Sequence, residues 1–261
     1  MKLVFFGDIV GKPGRRAVGI VLGALRAAER VDFVVANAEN SAGGIGVDPG
    51  SARELFASGI DVLTSGNHVW AKRQIVEYLA DSDVLLRPAN FAPSVPGWGY
   101  TVKARPGGEP VAVINLIGRV FMGAHDCPFR TVDSVLDSVR GRARVILVDM
   151  HAEATSEKVA MGWYLDGRVS VVVGSHTHVQ TADERILPGG TAYLTDAGMC
   201  GPTNSVIGVS REGVLRRFLT QMPTRFEVAD GPVAVQGVVV EVDDTTGKAK
   251  SIRRLQEIVE E

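Results

Sequence analysis

The sequence predicts an α/β fold on a largely parallel sheet. Short apolar runs of strand length alternate with helical patterns through most of its 261 residues, and two strand-like runs close the chain as a hairpin. With 45% hydrophobic residues the chain is long enough to bury a large core. No repeat, linker or low-complexity tail divides it, so residues 1–261 read as a single domain.

Taken in order, Leu3 to Gly7 reads as a short buried strand. Gly14 to Arg30 places Val18, Val21, Leu22, Leu25 and Ala28 at helical spacing. Phe33 to Ala38 is a strand. Asp48 then caps a helix that has Pro49 at its first position and carries Ala52, Leu55 and Phe56. Asp61 to Thr64 reads as a strand and His68 to Leu79 as a helix. Five prolines between 88 and 110 mark a loop with an edge strand, Tyr100 to Ala104. Val111 to Ile117 and Val145 to Met150 are buried strands flanking a helix around Val132 to Val139. A helix from Glu153 to Tyr164 and strands at Val169 to Val173 and Thr191 to Thr195 follow. Pro232 to Val242 and Ala249 to Leu255, split by the turn 243–248, form the closing hairpin. This late β content predicts a second sheet packed on the first.

Charge and composition narrow the function. A net charge of −2, from 28 basic and 30 acidic residues mixed along the chain, argues against binding duplex nucleic acid. It leaves a small anionic substrate open. The cluster Arg140-Gly141-Arg142-Ala143-Arg144 reads as a solvated loop. Cys127 and Cys200 form no spacing motif, which fits a reduced, cytoplasmic protein. The apolar start breaks at Gly7-Asp8 without a cleavage-like site, and no run approaches a membrane span, so no membrane partner is expected.

Four of the five histidines stand in polar knots that follow apolar runs: Asn67-His68, His151, and His176-Thr177-His178. Asp8 and Glu39-Asn40 end two further runs. Singly, several of these have plain explanations. Asp8 reads as a helix N-cap, Asn67 as a turn or cap, and His151 as a buried core histidine. Glu39 is a poor cap and a poor turn former, yet it ends a strand that enters a glycine-rich loop. His176 and His178, two apart on extended backbone, would point the same way, and imidazole suits Zn, Mn, Fe or Ni. Together the knots make the donor set of a two-metal hydrolase.

In this order, Gly7-Asp8, Glu39-Asn40, Gly66-Asn67-His68, His151 and Gly174-Ser175-His176-Thr177-His178 resemble the calcineurin-like metallophosphoesterases. The stretches from Phe6 to Arg15, Ala38 to Gly44, His151 to Lys158 and Thr195 to Pro202 resemble more closely the bacterial YmdB-type phosphodiesterases, over essentially the whole chain. The resemblance implies a four-layer α-β-β-α sandwich of two mixed sheets flanked by helices. It also implies Asp8, Glu39, Asn40 and His178 around one metal and Glu39, Asn67, His151 and His176 around the other. Most of the superfamily has histidine two residues after the first aspartate; here Val10 stands there, as is typical of the YmdB-type branch. Asn40 is the ligand that could instead hold phosphate.

The implied activity is hydrolysis of cyclic nucleotides, 2′,3′-cyclic monophosphates first, by in-line attack of a metal-bridging hydroxide. Glu39, with two anionic oxygens, suits the bridge. His68 adjoins Asn67 without being assigned to a metal, so it is the candidate general acid, or else the group that orients Asn67. His125 reads as a surface histidine or as a loop residue near the mouth of the site. Thr155, Ser156, Glu157 and Lys158 either line the substrate cleft or start a helix capped by Thr155 or Ser156, with Lys158 exposed. Nitrogen and oxygen donors without thiolate point to two ions of iron or manganese, with zinc an option. Competing functions are a phosphomonoesterase or nucleotidase, and a low-turnover regulatory metal binder; the sequence leaves room for a homo-oligomer.

Overall fold

Lys2–Phe6 forms the first strand, β1, and its side chains alternate across the sheet. Val4 and Phe6 pack toward helices, while Leu3 and Phe5 pack toward a second sheet. The computed structural model describes residues 1–105 and 107–260, so Pro106, within the proline-rich segment, and Glu261 lie outside it. After β1 come β2 (Asp8–Ile9), α1 (Gly11–Ala28), β3 (Phe33–Asn37), α2 (Pro49–Ala57), β4 (Val62–Thr64) and α3 (Ile75–Asp81). Next are β5 (Tyr100–Arg105), β6 (Gly108–Ile117), α4 (Pro128–Val139), β7 (Val145–His151), α5 (Thr155–Leu165) and β8 (Val171–Ser175). The chain ends with β9 (Arg185–Ile186), β10 (Ala192–Leu194), β11 (Met199–Pro202), α6 (Arg211–Thr220), β12 (Val233–Val242) and β13 (Ala249–Val259).

Two sheets result. One has seven strands in the order β2-β11-β12-β1-β3-β4, with β13 on β12; the other has six, β5-β6-β7-β8-β10-β9. Pairing is parallel along β1-β3-β4 and along β6-β7-β8-β10, and antiparallel at β12 and at the edge strands β5 and β9. Both sheets are therefore mixed. The closing hairpin does form, but it does not found the second sheet. Instead β12 inserts between β1 and β11 and makes the first sheet mixed.

Three apolar clusters separate four layers. Helices α1 to α3 cover one face of the first sheet through Val18, Leu22, Leu55, Ile75 and Leu79. Val35, Val62, Val113, Leu147 and Val173 fill the space between the sheets. Val132, Val139, Met161 and Leu165 of α4 and α5 cover the outer face of the second sheet. Each such fully buried side chain stabilises the fold by about 1.5–3 kcal/mol relative to exposure. The α-β-β-α sandwich is thus present. Among the described residues no helix is long and apolar enough to cross a membrane.

The start of α2 is as read from the sequence: Asp48 Oδ1 accepts from Ser51 N at 2.8 Å and Ser51 Oγ accepts from Asp48 N at 3.1 Å. The helix expected over 68–79 is shorter, beginning only at Ile75. Residues 67–74 form tight turns, with Val69 N on Gly66 O and Ala71 N on His68 O, which bury Val69 and leave Asn67 beside the other strand ends. Asp8 does not cap α1; Asp8 lies in β2, and the cap position is Val10.

Gly174 shows how closely the backbones meet at the end of β8, since a Cβ there would stand 1.8 Å from the Thr195 carbonyl oxygen. Backbone cannot yield cheaply, so Gly174→Ala is expected to cost about 3 kcal/mol, read as a lower urea midpoint at unchanged slope. An unaltered midpoint would contradict that packing.

Candidate metal centre

The parallel registers bring strand ends level. Phe6 pairs with Ala36 and Ala36 with Leu63 in the first sheet; Ile117 pairs with His151 and His151 with Ser175 in the second. The residues just past these ends meet where the two sheets share an edge. Asp8, Glu39, Asn40 and Asn67 come from the first sheet and His151, His176 and His178 from the second.

Four donors converge on one point. His151 Nε2 lies 3.0 Å from Glu39 Oε1, 3.1 Å from Asn67 Oδ1 and 3.1 Å from His176 Nδ1. Gly66 makes room for them, because a Cβ there would come within 2.2 Å of His151 Nε2 and 2.5 Å of Glu39 Oε2. A second corner holds Asp8, Asn40 and His178. His178 Nε2 is 3.0 Å from the Asn40 amide nitrogen and 3.9 Å from Asp8 Oδ1. His68 stands at the rim: its backbone N–H donates to Glu39 Oε2 at 3.0 Å, and its Nε2 accepts from Asn67 Nδ2 at 3.2 Å.

His176 and His178 do not point the same way. Both have left-handed backbone, at φ 102° and 63°, so the chain turns at each of them instead of running extended. Such conformations cost about 1 kcal/mol or more each. They send His176 to the first cluster and His178 to the second.

Each of the three imidazoles has one nitrogen occupied and the other turned inward. His151 Nδ1–H donates to Ser175 Oγ at 2.9 Å, His178 Nδ1–H donates to Ile207 O at 2.9 Å, and His176 Nε2 pairs with Glu153 at 3.0 Å. This outer partner is what fixes a metal-ligating histidine.

The electrostatics suit a cation. Asp8 is fully buried, and burial pushes its carboxyl up to about 6, only partly countered by His178 and His151. Its Oδ2 accepts from His176 N, but its Oδ1 has no hydrogen-bond partner. Burial works against charge on His151, yet Glu39, Asp8 and Asp149 together raise it to about 9. Burial and the His151 charge lower His176 to about 3, which keeps it neutral as a ligand must be. The donor spacing fits too. Glu39 Oε1, Asn67 Oδ1 and His176 Nδ1 all stand 3.0–3.1 Å from His151 Nε2, so the donor atoms are gathered at one place. Glu39, His151 and His176 are close enough together to hold a metal ion. Cys200 supplies no thiolate, since burial pushes its thiol up.

Several supporting residues escape a sequence reading. Asp149, fully buried in β7, accepts from Thr64 Oγ1 at 2.6 Å, Ser175 Oγ at 2.7 Å and Asn37 Nδ2 at 3.2 Å, so it anchors the support of His151. The available signal was a carboxylate inside an apolar run, two residues before His151 and so on the same strand face. Lys158 is buried, not exposed: its ammonium lies 2.6 Å from Asp196 Oδ2, which also accepts from Thr177 N and Oγ1 between the two histidines. Neither Thr155 nor Ser156 caps α5; its cap position is Ala154. His125 is half-buried against Phe91 in a cleft that Asn67 also lines, so it belongs to the mouth of the site.

Because both partners of the Lys158–Asp196 pair are buried, Lys158→Met should cost about 3–5 kcal/mol by leaving Asp196 uncompensated. Adding Asp196→Asn should restore much of that loss in chemical denaturation. Equal stability of the single and double variants would show that the pair is not the cause.

A profile of the YmdB-like protein family matches residues 4–255. A 2′,3′-cyclic-nucleotide 2′-phosphodiesterase of Bacillus subtilis is 48% identical over 98% of this chain and 96% of its own. A Thermus thermophilus protein described as hypothetical superposes with a TM-score of 0.91 at 41% identity, covering both chains fully. A Mycoplasma pneumoniae structure described as a novel phosphatase gives 0.92 at 33% identity, covering 100% of this chain and 94% of that one.

Proposed function

The chain belongs to the YmdB-like family, and on that premise we propose that it is a metal-dependent phosphodiesterase of 2′,3′-cyclic nucleotides, the activity for which its Bacillus subtilis relative is named. The observation that carries this reading is the convergence of Glu39, Asn67, His151 and His176 beside Asp8, Asn40 and His178 at the edge of an open cleft.

In this proposal Glu39, Asn67, His151 and His176 would hold one cation, and Asp8, Glu39, Asn40 and His178 would hold the other. Asn40 joins by turning its amide, which exchanges oxygen for nitrogen at the same place. When bound, two cations supply Lewis acidity to the phosphate and lower the pKa of water. Iron or manganese suits these nitrogen and oxygen donors, and zinc is compatible. Glu39 would be the carboxylate shared by the two ions: its Oε1 faces the His151 cluster, and the His68 backbone N–H orients it through Oε2. A water oxygen would bond to phosphorus as the bond from phosphorus to O2′ breaks; one water proton stays on the nucleoside 3′-phosphate so formed and the other passes to solvent. His68, at the open rim, gives O2′ its proton. The same reading takes the chain as one domain, supported by an intersheet core drawn from both halves, and as cytoplasmic, supported by two free cysteines.

Glu39→Gln should lower kcat/KM for 2′,3′-cAMP about 100-fold or more and reduce bound metal, followed by chromatography of products and elemental analysis. An unchanged rate would sink the bridging role. His68→Ala should retain its metals while kcat falls about 10²–10⁴-fold; loss of metal would make His68 a prop for Asn67 instead. Assays with 3′,5′-cAMP and a phosphomonoester separate this activity from a general phosphatase.

A further inference from the structure

A cleft of about 430 Å³ opens directly off the candidate centre. Asn67 belongs to both, since its Oδ1 reaches His151 Nε2 while the residue lines the cleft. The wall beyond it is aromatic. The Phe91 ring lies 5.1 Å from that of His125 and 6.4 Å from that of Trp70, centroid to centroid. Burial lowers the pKa of His125, so at neutral pH its ring is uncharged.

This wall is held from behind. Asn90, buried and next to Phe91, donates its amide to the carbonyls of Ile117 at 2.8 Å and Asp126 at 2.9 Å, and its Oδ1 accepts from Ile117 N at 2.9 Å. The Asp126 backbone N–H donates to Asn90 O at 3.1 Å. The loops carrying Phe91 and His125 are thereby tied to each other and to the end of β6. The same bonds consume the amide of Asn90, so it has nothing left with which to read a base edge. Asp126, at the exposed rim, is the lining residue with a fixed charge.

We propose that this cleft is the nucleobase subsite, in which the base of a 2′,3′-cyclic nucleotide stacks on Phe91 and His125 while its phosphate occupies the centre beyond Asn67. The inference rests on the phosphodiesterase reading above and deepens it. A cyclic phosphate and its base hang from the same ribose, so a base must settle on a surface adjoining the phosphate site. An uncharged aromatic wall suits a flat heterocycle, and a second phosphate would meet the negative Asp126. Stacking without hydrogen-bond readout accepts every base, so the subsite supplies affinity for nucleosides with little choice among them.

The test compares metal-loaded wild type with Phe91→Ala, His125→Ala and Phe91→Leu, which keeps bulk but removes the aromatic face. Substrates are the four 2′,3′-cyclic nucleotides and methyl riboside 2′,3′-cyclic phosphate, which lacks a base. Wild type should favour the nucleotides over the baseless substrate by about 10-fold or more in kcat/KM, with the four bases within about fivefold. All three variants should shrink that ratio, mainly through KM. No wild-type preference for nucleotides, a sharp preference for one base, or equal losses on both substrate types would overturn the subsite and leave the phosphodiesterase reading standing. If wild type cleaves no cyclic phosphate, that reading fails, and calorimetric binding of adenosine 3′-phosphate decides the subsite alone. About 10-fold weaker binding to Phe91→Leu retains it; equal binding removes it.

Discussion

Two carboxylates, Asp8 and Glu39, are buried at 0% and 1% exposure within one cluster, and a protein interior does not carry such charge without compensation. Much of the surrounding structure answers that constraint. His151, His176 and His178 gather around them, the bare Gly66 leaves room for His151 and Glu39, and the neighbouring carboxylates raise the pKa of His151. Asp8 Oδ1 stays without a partner even so. An apolar interior with this arrangement suits the binding of cations, as proposed above.

The sandwich makes the arrangement possible. Parallel pairing brings the ends of β1, β3 and β4 level in one sheet and those of β7 and β8 level in the other. Packing the two sheets face to face joins those edges. Polar side chains then support the donors from inside the sandwich: Asp149, Ser175, Thr64 and Asn37 behind His151, and the Lys158–Asp196 pair behind Thr177. Buried polar networks of this kind hold position only when their members are satisfied, and these have their partners.

Much of this was legible in the sequence, for reasons that particular residues make plain. Strand periodicity located β1, β3, β6, β7 and β12, because each is an apolar run bounded by turn residues. Knots such as Glu39-Asn40 and His176-Thr177-His178 stood out because polar donors there had no cheap structural explanation. What stayed hidden depends on contacts between distant residues. The sequence does not say that β12 pairs with β1, since strand order follows from tertiary packing. Lys158 looked like a solvated helix residue because its partner Asp196 is 38 positions away. The two histidines looked co-directional because a positive φ at a non-glycine residue leaves no mark in the sequence. Asn90 and Phe91 lay in a proline-rich stretch that reads only as loop, and their role emerges when that loop meets the one carrying His125.

The central claim is that these strand ends hold two metal ions. Diffraction from crystals of the protein, with anomalous differences recorded on both sides of the iron and manganese absorption edges, tests it directly. The account predicts two neighbouring peaks, one among Glu39, Asn67, His151 and His176 and one among Asp8, Asn40 and His178. Metal-replete crystals with no anomalous peak among these residues, or with the ions bound elsewhere on the chain, would contradict it.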